Sequence, residues 1–198
     1  MLIAHRINTV AELEKVPHHC GVEIDLRDSG LDLILAHDPF STGERFEDFL
    51  CRYRHAFVIL NIKSERIEWR VLELLQRHNV HDYFFLDCSF PMVVALSRRA
   101  ESNIALRYSE FEGLDTIRLM RDRIRWVWVD CFSRTPLTAQ TFSEIKEMGL
   151  KVCLVSPELQ GRHDDIEPHI DYFRQQRIQP HMVCSKLIHL EKWQTLFN

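Results

Sequence analysis

The sequence is short of the residues that interrupt regular structure. Of its 198 residues only 6 are glycine and 7 proline, which excludes collagen-like, low-complexity and linker-rich chains. It lacks an apolar run near the roughly 20 residues that cross a bilayer. The opening Met1-Leu2-Ile3-Ala4-His5-Arg6 is too short in apolar residues for a signal peptide. The expectation is a cytoplasmic protein with no stable membrane association. Positive charge is not in excess, since Lys plus Arg number 25 against 29 Asp plus Glu, a net charge of -4. That balance argues against nucleic acid as a partner, which needs a cationic field. The six cysteines, Cys20, Cys51, Cys88, Cys131, Cys153 and Cys184, stand singly with no CxxC pair. A zinc site or disulfide framework groups its cysteines more closely, so these read as small buried side chains. No strand candidate is followed by a glycine-rich phosphate loop.

What is present is alternation. Short runs rich in Val, Ile, Leu and aromatics read as buried strands over Leu2–His5, Gly21–Leu26, Asp32–His37, Phe57–Lys63, Tyr83–Asp87, Ile104–Arg107, Trp126–Asp130, Lys151–Ser156 and His181–Ser185. Between them lie helical patterns. Glu65–Arg77 puts Ile67, Val71, Leu74 and Leu75 on one face, Thr138–Met148 ends before Gly149 as a C-cap, and Asp164-Asp165 precede Ile166–Gln175. Asp32–His37 follows Gly21–Leu26 after a Ser29-Gly30 turn and reads as an extra hairpin strand. Eight strands with intervening helices then predict a parallel (β/α)8 TIM barrel; the runner-up is a doubly wound open sheet. One domain over 1–198 is expected, large enough to bury roughly 70% of its unfolded surface.

Polar residues gather where these strands end. In Gly21-Val22-Glu23-Ile24-Asp25-Leu26, the two-residue period puts Glu23 and Asp25 on one face and Val22, Ile24 and Leu26 on the other. Two ionised carboxylates in a partly buried place repel each other, and a hard divalent cation is the simplest remedy. Asn61 and Lys63 share a face by the same rule. His5-Arg6, His37-Asp38, Asp87, Arg107 and Asp130 end other strands. In a βα barrel those ends form the active-site face, and the set suits a phosphoryl group.

Ala4-His5-Arg6, Glu23-Ile24-Asp25, His37-Asp38 and a strand ending in Lys63 resemble glycerophosphodiester phosphodiesterase. That family belongs to the phospholipase C-like phosphodiesterase barrels, which also include sphingomyelinase D type enzymes. The resemblance is sharpest over residues 2–63 and continues more loosely through Gly149-Leu150-Lys151-Val152. It implies a TIM barrel of the phospholipase C-like phosphodiesterase type, with His5 and His37 as the general acid and base. It further implies Mg²⁺ or Ca²⁺ on Glu23 and Asp25, with Arg6 and Lys63 at the phosphate. The expected partner is a small soluble phosphodiester of glycerol or a sugar; the oligomeric state is left open.

The chain departs from the family in several places. Ile7 follows His5-Arg6 where the family has glycine, and only Asn8-Thr9 matches its Pro-Glu-Asn-Thr segment. Asn61 stands where the family has the third acidic metal ligand, and an amide brings an oxygen without charge. The family's substrate-covering insertion is reduced to Pro39–Ala56. Two further readings follow: a phosphate- and metal-binding barrel with weak or no turnover, and a lyase-like variant that releases a cyclic phosphate.

Asp87-Cys88-Ser89, Arg107-Tyr108-Ser109-Glu110, Asp130-Cys131 and Ser156-Pro157-Glu158 make a second polar ring. Arg107 is taken as substrate-binding, Ser89 as a helix N-cap, and Asp87 and Glu110 as alcohol-selecting groups or loop-pairing ions. His18-His19-Cys20 reads as a surface loop at the opposite barrel end. Arg162–Asp165 reads as a loop and helix start, Arg118–Arg125 as a solvated amphipathic helix, and Trp126 and Trp128 as buried strand residues.

Overall fold

The computed structural model describes residues 1–197. Its chain order is β1 (Leu2–Ala4), α1 (Val10–Leu13), β2 (Gly21–Ser29), β3 (Asp32–Leu35), α2 (Phe46–Arg52), β4 (Phe57–Ile62) and α3 (Glu68–Arg77). It continues through β5 (Tyr83–Leu86), α4 (Phe90–Ser97), β6 (Ala105–Tyr108), α5 (Asp115–Met120), β7 (Trp126–Val129) and α6 (Ala139–Glu147). β8 (Lys151–Val155), α7 (Ile166–Gln175), β9 (Met182–Ser185) and α8 (Leu190–Gln194) complete it. All nine sequence-predicted strands form.

The strands run β5-β4-β2-β1-β9-β8-β7-β6 in parallel, and β3 alone is antiparallel, zipped to β2 from Leu26↔Leu35 to Ser29↔Asp32. A single parallel bridge, Phe85↔Ile104, joins the two ends. The molecule is thus a nearly closed TIM barrel, and the open-sheet alternative falls. No helix among the described residues is long and apolar enough to cross a membrane.

Two apolar layers account for closure. Outward-facing residues such as Val22, Ile24, Val58, Leu60, Val127 and Val129 pack under the helices. The barrel interior is filled by Ile3, Phe57, Ile59, Phe84, Trp126, Trp128, Cys153, Val155, Met182 and Cys184. Trp126 is the centre of this plug, 5.0 Å from Phe84 and 5.5 Å from Phe57 between ring centroids. Gly21 makes room for it: a Cβ there would lie 2.4 Å from Ile3 Cδ1 and 2.8 Å from the Phe57 carbonyl oxygen. Near the carboxyl ends of the strands, the inward row changes from apolar to polar.

The cysteines are unpaired, and Cys20, Cys131, Cys153 and Cys184 are buried, as small apolar side chains would be. Gly149, at φ 75°, ends α6 in the left-handed conformation that favours glycine. The arginine-rich segment differs from expectation. Helix α5 covers only Asp115–Met120, and a turn over residues 121–123 returns Ile124 to the core. Helix α3 starts at Glu68, because Arg66, at φ 73°, turns the chain first.

Trp126→Ala removes the centre of the interior plug and should lower the unfolding free energy by about 3–5 kcal/mol in urea denaturation. Cys51→Ser, at an exposed position, should change it by less than about 0.5 kcal/mol.

Candidate active site

Strand β2 carries the centre of the site. Gly21, Glu23 and Asp25 face inward, and both acids are 1% exposed. In the register with β4, Glu23 lies beside Ile59 and Asp25 beside Asn61. The Asn61 Nδ2 donates to Glu23 Oε1 at 2.8 Å. The Arg6 backbone N–H donates to Glu23 Oε2 at 2.7 Å, in a left-handed conformation at φ 54°. Such backbone strain in a residue other than glycine is held in place by its surroundings and recurs at functional sites. Asn8 clamps Asp25 twice: its Nδ2 donates to Oδ2 and its Oδ1 accepts the Asp25 N–H, each at 2.9 Å. Asn8 was therefore informative in the sequence, as half of Asn8-Thr9, although its role as a clamp could not be read there.

Cations of the chain itself surround the acids. The Lys63 Nζ lies 3.7 Å from Asp25 Oδ1 and 3.4 Å from Asp87 Oδ2, and the Arg6 Nε lies 3.6 Å from Asp25 Oδ2. Burial and the Asp25 charge push the Glu23 carboxyl well above the usual carboxylate range, and the hydrogen bonds from Asn61 and Arg6 only partly offset this. His5 follows β1 with Nε2 3.7 Å from Glu23 Oε2. Burial and then Arg6 lower its pKa to about 4, against Asp25 and Glu158, so the ring is neutral at neutral pH.

His37 lies just past β3, tethered to the same region. The Ala36 N–H donates to the Asp25 carbonyl at 3.0 Å, and the Arg27 guanidinium donates to the His37 carbonyl at 3.0 Å. The His37 Nδ1 is 2.7 Å from Asp38 Oδ1. That bond leaves Nε2 free to exchange a proton.

Arg107 is at the mouth, but its guanidinium is engaged. It donates to Asp130 and, at 2.5 Å, to Asp87 Oδ1, with Glu112 Oε2 3.8 Å from Nε. Asp87 is itself left-handed, at φ 57°. Asp130 also accepts from Gln160 Nε2 at 2.8 Å and from the Cys131 N–H at 2.9 Å. An ion-paired chain therefore runs from Asp25 through Lys63, Asp87 and Arg107 to Asp130.

Glu158, just past β8 and 2% exposed, closes the far side. It accepts from the hydroxyls of Ser156 and Ser185 and from the Lys186 N–H at 3.1 Å, and Trp193 Nε1 donates to Ser156 Oγ at 2.7 Å. Sequence reading placed Glu158 in a second polar ring; what it did not find is the burial of this acid near His5. Glu110 has a structural role. Burial opposes its ionisation, but the donors of Ser133 and Arg134 outweigh this and hold it near 2, pinning the loop after β7. Ser89 sits at the N-cap of α4, but its hydroxyl donates to Glu65 Oε1 at 2.7 Å instead of capping the helix. His18 and His19 are exposed before β2, at the opposite barrel end.

Whether the donor set fits a divalent cation can be tested on its unsatisfied atoms. Asp25 Oδ1 and Asn61 Oδ1 are buried and accept no hydrogen bond, Asp25 Oδ1 having only the Lys63 ammonium at 3.7 Å, and the two residues pair across neighbouring strands. Buried acceptors without hydrogen bonds are costly, and oxygens of a carboxylate and an amide on paired positions beside a second carboxylate are of the kind a hard cation coordinates. The residues fit. Among the described residues, no three His, Cys, Asp or Glu side chains converge as a metal site; a third oxygen would come from the Asn61 amide.

No family model and no curated protein matches the chain. Solved structures do. A glycerophosphodiester phosphodiesterase from Agrobacterium tumefaciens superposes with a TM-score of 0.63 at 14% identity, over 93% of this chain and 94% of that one. A glycerophosphoryl diester phosphodiesterase from Parabacteroides distasonis gives 0.65 at 13% identity, over 100% of this chain and 86% of that one. Fold and site define a TIM barrel with buried and half-buried charged side chains gathered at its carboxyl-terminal face. The chain has the barrel fold of these solved structures.

Asn61→Asp adds a charge at nearly constant volume beside Asp25. Titration calorimetry with Mg²⁺ or Ca²⁺ should show at least tenfold tighter binding, about 1.4 kcal/mol. Unchanged affinity would place Asn61 outside the metal shell.

Proposed function

We propose that the chain is a metal-dependent phosphoric diester hydrolase, acting on a glycerophosphodiester-like or sugar phosphodiester with His5 and His37 as the general acid–base pair. The observation that carries this reading is the register pair Asp25 and Asn61, whose buried Oδ1 atoms accept no hydrogen bond, set beside Glu23 with Lys63, Arg6 and a neutral His5 around them.

Arg6 and Lys63 would take the non-bridging phosphate oxygens, exchanging part of their pairing with Asp25 for the substrate's charge. His5, neutral at working pH, suits the base that removes a proton from the attacking water. His37, with Nδ1 held by Asp38, suits the acid that delivers a proton from Nε2 to the departing alcohol oxygen. Water adds to phosphorus, the phosphorus–alkoxide bond breaks, and a phosphomonoester and an alcohol result. Mg²⁺ or Ca²⁺ held by Glu23, Asp25 and Asn61 would supply positive charge against the phosphate oxygens. Arg107 belongs to the support of this site, since its guanidinium already serves Asp87 and Asp130.

Phosphate binding with weak turnover is the second reading. It is favoured by Asn61 and by the cations already paired with Asp25. Release of a cyclic phosphate, with a substrate hydroxyl replacing water, uses the same residues.

Purified protein should hydrolyse members of a phosphodiester panel in the presence of Mg²⁺, Ca²⁺ or Mn²⁺, with ³¹P NMR distinguishing monoester from cyclic product. His5→Ala and His37→Ala should each lower kcat by about 10²-fold or more, with unchanged circular dichroism. Full activity in both variants would overturn the assignment, and phosphate binding without turnover on any diester would select the second reading.

A further inference from the structure

Among the described residues, several buried polar atoms outside the active site have no hydrogen-bond partner. Three of them, Tyr53 Oη, His55 Nδ1 and His78 Nε2, belong to residues that line one cleft. The cleft, of about 330 Å³, opens between the loop that leads from α2 into β4 and the loop that leads from α3 into β5. It is therefore at the amino-terminal end of the barrel, and β4 and β5 run away from it toward Asn61 and Asp87. His78 Nε2 has the Glu47 carboxylate 3.8 Å away, which leaves Tyr53 and His55 as the uncompensated pair, each 8% exposed. The His55 Nε2 is 2.8 Å from the Val16 carbonyl oxygen, which can only accept, so Nε2 carries the proton. Burial lowers the pKa of His55, and the neutral ring leaves Nδ1 as a bare acceptor. Burial and then the Asp82 charge raise the pKa of Tyr53, so its hydroxyl keeps a proton that it donates to no atom of the fold. A phenol and an imidazole withdrawn from water in this way are costly unless a further group completes them.

We propose that this cleft is a binding site for a small neutral polyol of inositol or hexose size, separate from the active site. The proposal does not rest on the phosphodiesterase reading. Charge and hydrogen-bond chemistry select the class. Arg54 and Asp82, both exposed, stand at the cleft with opposite signs, so an anion meets Asp82 and a cation meets Arg54. An acceptor-only group such as a carboxylate or a phosphate would also set its lone pairs against His55 Nδ1. A hydroxyl both donates and accepts. It gives its proton to His55 Nδ1 and takes the Tyr53 proton in return, completing both buried groups at once. The Asp82 carboxylate and the Asn79 amide offer further hydroxyls the same mixture of acceptors and donors. Arg54 is held in place at this edge, its Nη1 donating to the Tyr53 carbonyl at 2.6 Å. The volume is at the small end of ligand pockets, which suits a single ring and its hydroxyls.

The test uses the full chain labelled with ¹⁵N and reads the imidazole nitrogens of its histidines by NMR, with His55 assigned from a His55→Gln variant. Of myo-inositol and glucose, each titrated to tens of millimolar, at least one should shift His55 Nδ1 saturably toward the hydrogen-bonded range. Tyr53→Phe removes only a hydroxyl that has no partner in the fold. It should therefore leave the melting temperature of the protein without polyol unchanged or higher, and weaken binding of the same polyol about fivefold. A lower melting temperature for Tyr53→Phe without polyol would assign the hydroxyl to the fold and overturn the proposal. So would the absence of a shift with both polyols, or equal binding by wild type and Tyr53→Phe. Saturable shifts with inorganic phosphate or tetramethylammonium, and none with the polyols, would also overturn it. Turnover plays no part in the readout, so failure of every diester to react would remove the phosphodiesterase reading and leave the cleft assignment standing.

Discussion

Two carboxylates on one strand, pointed into a barrel that excludes water, are the constraint on which the rest of the site is built. Glu23 and Asp25 are each 1% exposed, and a buried carboxylate pair is costly unless other groups compensate it. The surrounding structure is largely that compensation. Arg6 takes a left-handed backbone so that its N–H meets Glu23, Asn8 turns its amide to Asp25 at both ends, and Asn61 donates from the next strand. Lys63 and the Arg6 side chain add charge at 3.6–3.7 Å. Removing any one of these would leave a buried acceptor exposed to the carboxylate field, so the strand ends, the loop after β1 and the hairpin after β2 are tied to one another through this pair.

The same logic extends around the mouth. Lys63 is shared with Asp87, Asp87 with Arg107, and Arg107 with Asp130, so each charge is answered by one on the next loop. Below this ring the inner row is apolar, with Trp126 and Trp128 filling the barrel. The division is physical as well as spatial. An apolar plug lowers the local dielectric beneath the site and strengthens each interaction above it. An anion entering the mouth thus meets preorganised cations, and their existing partners are carboxylates that it must partly displace.

How much of this the sequence shows depends on whether a feature is periodic or assembled. Strand β4 reads as buried from Phe57-Val58-Ile59-Leu60, and the inward pairing of Glu23 with Asp25 follows from a two-residue period alone. Helix α6 announces itself through Thr138 and Gly149. By contrast, the burial of Glu158 beside His5 depends on Ser156, Ser185 and Trp193, which are brought together by closure between β8 and β9. No local pattern marks it. Arg107 shows the limit from the other side: its inward position was legible, but its capture by two acids comes from loops whose conformations are set by left-handed residues such as Asp87. The helix through Arg118–Arg125 was overextended because the charge pattern continues past the point where Ile124 is drawn into the core.

Asn61 links the two halves of this picture. An acid at that position would put a third negative charge against Glu23 and Asp25 and would make the site depend on a cation for its integrity. The amide instead donates to Glu23 through Nδ2 while presenting Oδ1 beside Asp25. It therefore steadies one carboxylate and leaves an oxygen for a ligand. With Arg6 and Lys63 already near Asp25, the formal charge of the centre is close to balanced before any metal enters. A balanced centre repels an incoming phosphate less than a triply acidic one, and it binds a free divalent cation less tightly for the same reason. If the proposed metal binds here, the amide would favour one that arrives together with its anionic ligand, since phosphate oxygens would then supply the charge that the strand does not.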